Sequence, residues 1–92
     1  MMHYYLTLPD ETIVIHSGLK EENDTKVVLV HFERPIYGGF DSARIKLPTY
    51  EWIEREGYSD EEIKDFEQFV ARNAHSLYYY AEIGGHQIAE VV

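Results

Sequence analysis

The chain has 92 residues, of which 45% are hydrophobic and 14% aromatic, enough to fill the core of one small domain and too few for two. A net charge of −9 with only 8 Lys+Arg argues against a nucleic-acid partner, since neutralising several phosphates takes a basic stripe that this sequence lacks. The Cys count of 0 removes disulfide frames and thiolate metal sites and favours a reducing, cytoplasmic setting. The start MMHYYLTLPDE has no basic segment leading into an apolar stretch, and no apolar run is long enough to span a membrane, so neither export by that route nor membrane insertion is expected.

The first half of the chain alternates apolar and polar residues with period two, which predicts four strands near 2–8, 12–17, 26–34 and 40–47. Pro9-Asp10, the polar run from Gly18 to Thr25, and the segment Pro35 to Gly39 separate them, and such short connections imply an antiparallel meander. One register pairs Leu6 with Ile15, Ile15 with Val28, Val30 with Ile45 and Phe32 with Ala43, and it gathers these apolar residues on a single face. It also sets Arg34 opposite Asp41, as an exposed pair of little energetic weight.

Pro48 and Thr49 then open a predicted short helix near 49–56, with Trp52 and Ile53 inward and Gly57 as terminator. The strongest local signal follows. Ser59 and Glu62 form a capping box, Tyr58 and Ile63 are placed as a hydrophobic staple, and Gly84-Gly85 stops a long helix near 60–83. On its wheel Ile63, Phe66, Val70, Ala74, Leu77 and Ala81 form one stripe, which should lie on the sheet. The tail 86–92 is too short to assign. The expected fold is therefore α+β: a four-stranded antiparallel meander, a short helix, and one long C-terminal helix packed on one sheet face.

In that register the second sheet face carries Tyr5, Val14, His16, Val27, Leu29, His31, Glu33, Arg44 and Lys46. Val14, Val27 and Leu29 make an apolar centre that water alone would not favour, and a second copy of the chain is the simplest cover. The residues expected to mediate self-association are Val14, Leu29 and His31. The competing view is catalytic: His31, Glu33 and Arg44 supply the base, acid and cation of a metal-independent hydrolase or ribonuclease. His16 falls too far along the neighbouring strand to serve as a second His.

No cofactor or metal motif appears. The five His follow no ligand spacing, and His75, Tyr79 and Glu82 on the outer side of the long helix offer only one His and one carboxylate. Gly38-Gly39 is a turn and not a phosphate loop, and no Ser sits in a nucleophile-elbow context. Acid is concentrated between Glu51 and Glu67, where eight carboxylates face only Arg55 and Lys64. Carboxylates in a first helical turn suit the helix dipole, but an acidic face also fits a basic protein partner, with Glu61, Asp65 and the outward-pointing Tyr79 as contact residues. The expected function is thus a small acidic interaction or regulatory module, a homodimer, with the hydrolase as the alternative.

Overall fold

In the computed structural model, which describes residues 1–85, the predicted long helix forms as α1 (Asp60–Ile83). Its capping box is complete: the Ser59 hydroxyl accepts from the Glu62 amide at 3.1 Å, and the Glu62 carboxylate accepts from the Ser59 amide at 2.9 Å. Two donors that the first turn would leave orphaned are satisfied reciprocally. At the other end Gly84 takes the left-handed backbone that glycine adopts without penalty, φ 87°, and the Gly85 amide donates to the Tyr80 carbonyl at 2.7 Å. The tail 86–92 lies outside the described residues.

Before α1 the chain forms β1 (Met2–Thr7), β2 (Ile13–Ser17), β3 (Lys20–Glu22), β4 (Thr25–Ile36), β5 (Gly39–Leu47) and β6 (Glu51–Glu56). All pairings are antiparallel, in the spatial order β1-β2-β4-β5-β6, with β3 paired to the start of β4. The architecture is α+β, with a six-stranded antiparallel sheet and one C-terminal helix.

Two expectations about the elements are corrected. The short helix near 49–56 is instead the edge strand β6: the chain reverses over Leu47–Tyr50, where the Tyr50 amide donates to the Lys46 carbonyl at 2.7 Å and Tyr50 takes φ 63°. Residues 51–56 then pair along β5, with Ala43 opposite Arg55 and Ile45 opposite Trp52. The polar run after Gly18 holds a further strand, β3, closed onto β4 through Asn23 and Asp24, both at positive φ as a type I′ hairpin turn requires.

The β4–β5 register is the predicted one, with Val30 opposite Ile45, Phe32 opposite Ala43 and Arg34 opposite Asp41. The β2–β4 register is not. Ile15 pairs with His31 rather than Val28, and Val14 pairs with Phe32. That shift of three residues, an odd number, exchanges the faces of β2 and turns Val14 and His16 toward the helix and Ile13 and Ile15 away from it. In β1 a bulge between Tyr4 and Leu6 replaces the expected Leu6–Ile15 pair by Leu6–Val14 and lets both Tyr5 and Leu6 pack on the core.

The core lies between the sheet and α1. Val14, Val28, Val30, Phe32, Ala43, Ile45 and Leu47 meet Ile63, Phe66, Val70, Leu77 and Ala81, the helical stripe read from the sequence less Ala74, which is half-buried. Phe32 and Phe66 stack with centroids 4.1 Å apart. Trp52 packs beside Phe32 and donates from its indole N–H to Glu67 at 2.8 Å, tying β6 to the helix.

Candidate functional site

Because α1 covers one side of the sheet, the other side is uncovered among the described residues, and the register fixes what it presents. Across β1, β2, β4, β5 and β6 run Tyr4, Ile15, His31, Arg44 and Glu54; flanking rows bring Ile13, Glu33 and Ser42 on one side and Leu29 and Lys46 on the other. The face is divided. Tyr4, Ile13, Ile15 and Leu29 make an apolar half toward β1, and the half toward β6 is polar.

The polar half centres on His31, which is 8% exposed. Its Nε2 lies 3.0 Å from Ser42 Oγ, 3.6 Å from Glu33 Oε2 and 3.9 Å from Glu54 Oε1. Ser42 Oγ donates to Glu54 Oε1 at 3.0 Å. A hydroxyl has one proton to give, so His31 Nε2 is the donor to Ser42, and the chain runs from imidazole N–H through hydroxyl to carboxylate. This polarity is the reverse of that in a nucleophilic serine, which must give its proton to the imidazole. Burial holds the His31 imidazole below its ordinary value of 6.5; the Glu33 carboxylate pulls it partly back, the Arg44 guanidinium lowers it, and Glu54 raises it. His31 is accordingly neutral at neutral pH.

The structure thus brings His31, Glu33 and Arg44 together, as the sequence suggested, and adds Ser42 and Glu54. Glu54 was hidden because its segment reads as a helix, and Ser42 because a lone Ser in an alternating strand has no distinguishing context. Val14 does not join Leu29 and His31: it is 0% exposed in the core beneath α1. Tyr5 and His16 also belong to the helix side, where the Tyr5 hydroxyl donates to Asn73 at 2.7 Å. His3 and His16 are direct cross-strand partners with ring centroids 5.4 Å apart, and no group of three or more His, Asp or Glu is arranged to hold a metal among the described residues.

A second polar centre lies where β4 runs past the end of its pairing with β2 and continues along β5 alone. Arg34 donates to Asp41, Glu62 and Asp10 and lies 4.6 Å above the Tyr58 ring. It is far from the weak exposed pair expected: its side chain is 21% exposed and that of Asp41 11%. The Glu62 carboxyl is held below its ordinary range first by the Arg34 hydrogen bond and then by the Ser59 amide. For Asp10 burial opposes ionisation, but the Thr12 amide and hydroxyl together with Arg34 outweigh it and lower the value.

The remaining candidates are at the surface. Glu61 and Asp65 are exposed on the first two turns of α1. Tyr79 is exposed and lines a cleft with Leu19, Lys26, His75, Tyr78 and Glu82, so this side of the helix faces the β3–β4 hairpin and is not wholly free. The Tyr78 hydroxyl closes that cleft by donating to the Lys26 carbonyl at 2.9 Å. The tip of the β4–β5 hairpin, overlooked in the sequence, holds Ile36, Tyr37 and Phe40 in solvent, Tyr37 at 105% exposure. Large apolar residues beside a Gly-Gly turn were its available signal.

Comparison with protein-family models, with curated proteins and with solved structures finds no match to this chain. No helix among the described residues is long and apolar enough to cross a membrane.

Proposed function

We propose that this protein is a small interaction module that self-associates through the uncovered face of its sheet and offers the acidic first turns of α1 to a basic protein partner. The supporting observation is the apolar half of that face. An antiparallel sheet tolerates water on one side when its outward residues are polar, yet here Tyr4, Ile13, Ile15 and Leu29 all point outward on adjoining strands. A two-fold axis through the face would set apolar half against apolar half, with His31 and Leu29 near the axis. The test is solution mass by light-scattering chromatography on the native chain and on Leu29→Asp, with circular dichroism to confirm folding. A native dimer that becomes a folded monomer is expected; a native monomer would sink the reading.

One observation favours a second reading, a small metal-independent hydrolase or ribonuclease. His31, Glu33, Arg44, Ser42 and Glu54 converge on one surface, and base, acid and cation are the components such chemistry uses. Against it stands the direction of the hydrogen bonds, which leaves His31 Nε2 protonated and the Ser42 proton committed to Glu54. In this reading His31→Ala abolishes turnover of RNA or an ester substrate while the domain stays folded; in the preferred one no turnover is found in either protein.

A further inference from the structure

We infer that the groove between the β1–β2 turn and the first two turns of α1 is the docking site for a basic peptide segment carrying one large apolar side chain. This rests on the reading of the acidic turns of α1 as a partner surface, and it names the place and the occupant. The groove, about 300 Å³, is lined by Leu8, Pro9, Asp10, Glu62, Asp65 and Phe66. Its volume lies at the low end for ligand sites and suits a single side chain rather than an extended small molecule. Leu8, Pro9 and Phe66 supply an apolar floor, and the three carboxylates stand around it.

Charge selects the occupant. Arg34 is the cation that serves this rim, and it is shared among Asp10, Asp41 and Glu62, three carboxylates to one guanidinium. Asp65 on the rim and Glu61 one turn before it are exposed and have no ion-pair partner among the described residues. The uncompensated negative charge favours Lys or Arg on either side of the anchoring residue and repels an acidic segment.

The walls are set before anything binds. In the turn, Pro9 has a fixed φ, the Asp10 carboxylate accepts from the Thr12 amide at 2.9 Å, and the Leu8 amide donates to the Thr12 carbonyl at 2.8 Å. Arg34 bridges that turn to α1 through Asp10 and Glu62, at 3.0 and 2.7 Å. A groove held on both sides loses little conformational freedom on binding.

The test is fluorescence anisotropy with a short labelled peptide in which Arg residues flank a central Phe. Its control has Gly in place of the Phe. The native chain is compared with Asp65→Lys and with Glu82→Lys, an equal charge reversal at the far end of α1, all checked for folding by circular dichroism. The expected result is binding that weakens about tenfold for Asp65→Lys and for the Gly peptide, and less than about twofold for Glu82→Lys. Equal binding of the two peptides, or equal weakening by the two substitutions, overturns the groove while leaving a diffuse acidic partner surface in place. Failure of both peptides to bind overturns both the groove and the partner surface, and leaves self-association to be judged by solution mass.

Discussion

Arg34 donates from both Nε and Nη2 to one oxygen of Asp41, at 3.0 and 2.6 Å, directly across the β4–β5 hairpin. The same guanidinium reaches Asp10 in the β1–β2 turn and Glu62 in the cap of α1, so a single side chain joins three separate connections of the fold. Removing it leaves the Asp41 carboxylate largely buried without its cation, and that loss weighs more than the pair is worth when intact. Arg34→Met is expected to destabilise the domain by about 2–3 kcal/mol, and Asp41→Asn, which keeps a hydrogen-bonding group in place, by about 1–2 kcal/mol. Urea denaturation gives both values; costs under about 0.5 kcal/mol would mean that the cluster is only a surface network.

Acid should weaken the same cluster. Asp10 and Glu62 both titrate below their ordinary values of 3.8 and 4.5 in the folded chain. A carboxyl depressed by folding adds stability that is present above its unfolded value and is lost as pH falls through the folded one. Stability should therefore hold down to about pH 5 and decline below it, and Arg34→Met should flatten the decline. Urea midpoints measured from neutral to acid pH check this; parallel curves for the two proteins would assign the acid sensitivity to other carboxylates.

His31 gives a prediction of the opposite kind, because its partners are neighbours on an open face. Its folded value lies below 6.5 through burial, with Glu33 and Glu54 raising it and Arg44 lowering it. Glu33→Gln should move the imidazole further down and Arg44→Met should move it up, as read by NMR titration of its ring protons. A His depressed by folding also costs stability as pH drops from 6.5 toward the folded value, since the unfolded chain takes up the proton first. Unmoved titrations in both variants would place these charges too far from the ring to matter.

Two glycines with nearly equal backbone angles should respond differently to one methyl group. Gly57 has φ 89° and Gly84 has φ 87°, so alanine pays the left-handed penalty of about 1 kcal/mol at either site. A Cβ at Gly84 meets nothing within 4 Å, whereas one at Gly57 would collide with the Asp41 carboxylate and push it away from Arg34. Gly84→Ala should cost about 1 kcal/mol and Gly57→Ala about 3 kcal/mol by denaturant unfolding. Equal costs would show that Asp41 yields without disturbing the cluster.

What the sequence disclosed follows how local each signal is. The ends of α1 were legible because Ser59, Glu62 and Gly84 act within a single turn, and the β4–β5 register because Tyr37-Gly38 closes a hairpin that leaves no freedom to slip. The β2–β4 register was not legible. Ile13-Val14-Ile15 and Val27 through Val30 are apolar at every position, so alternation cannot say which residues face the helix, and β3 lies between the two strands in place of a tight turn. Residues 51–56 read as a helix because Pro48 and Thr49 make a plausible start, but pairing along β5 and the Trp52 bond to Glu67 override that preference. The cluster around His31 was half visible for the same reason: His31, Glu33 and Arg44 lie in the legible hairpin, and Glu54 enters from the strand that was not.

The β2 register makes a sharp test, because neighbouring residues should respond oppositely to the same change. Val14 is sealed between Phe32 and the helix side of the core, while Ile15 beside it points to the uncovered face and is only half-buried. An aspartate at Val14 would place an unpaired carboxylate in a dry core, at a cost of about 4 kcal/mol or more, comparable with the whole stability of a domain this size. At Ile15 the same residue keeps its charge in water and forfeits only part of one apolar contact, about 1 kcal/mol. Circular dichroism should therefore find Val14→Asp unfolded and Ile15→Asp folded. If Ile15 lies in the self-association face, the Ile15→Asp protein should also be monomeric, as Leu29→Asp is expected to be. The reverse pattern, with Ile15→Asp unfolded and Val14→Asp tolerated, would restore the alternation read from the sequence and exchange the two faces of the strand.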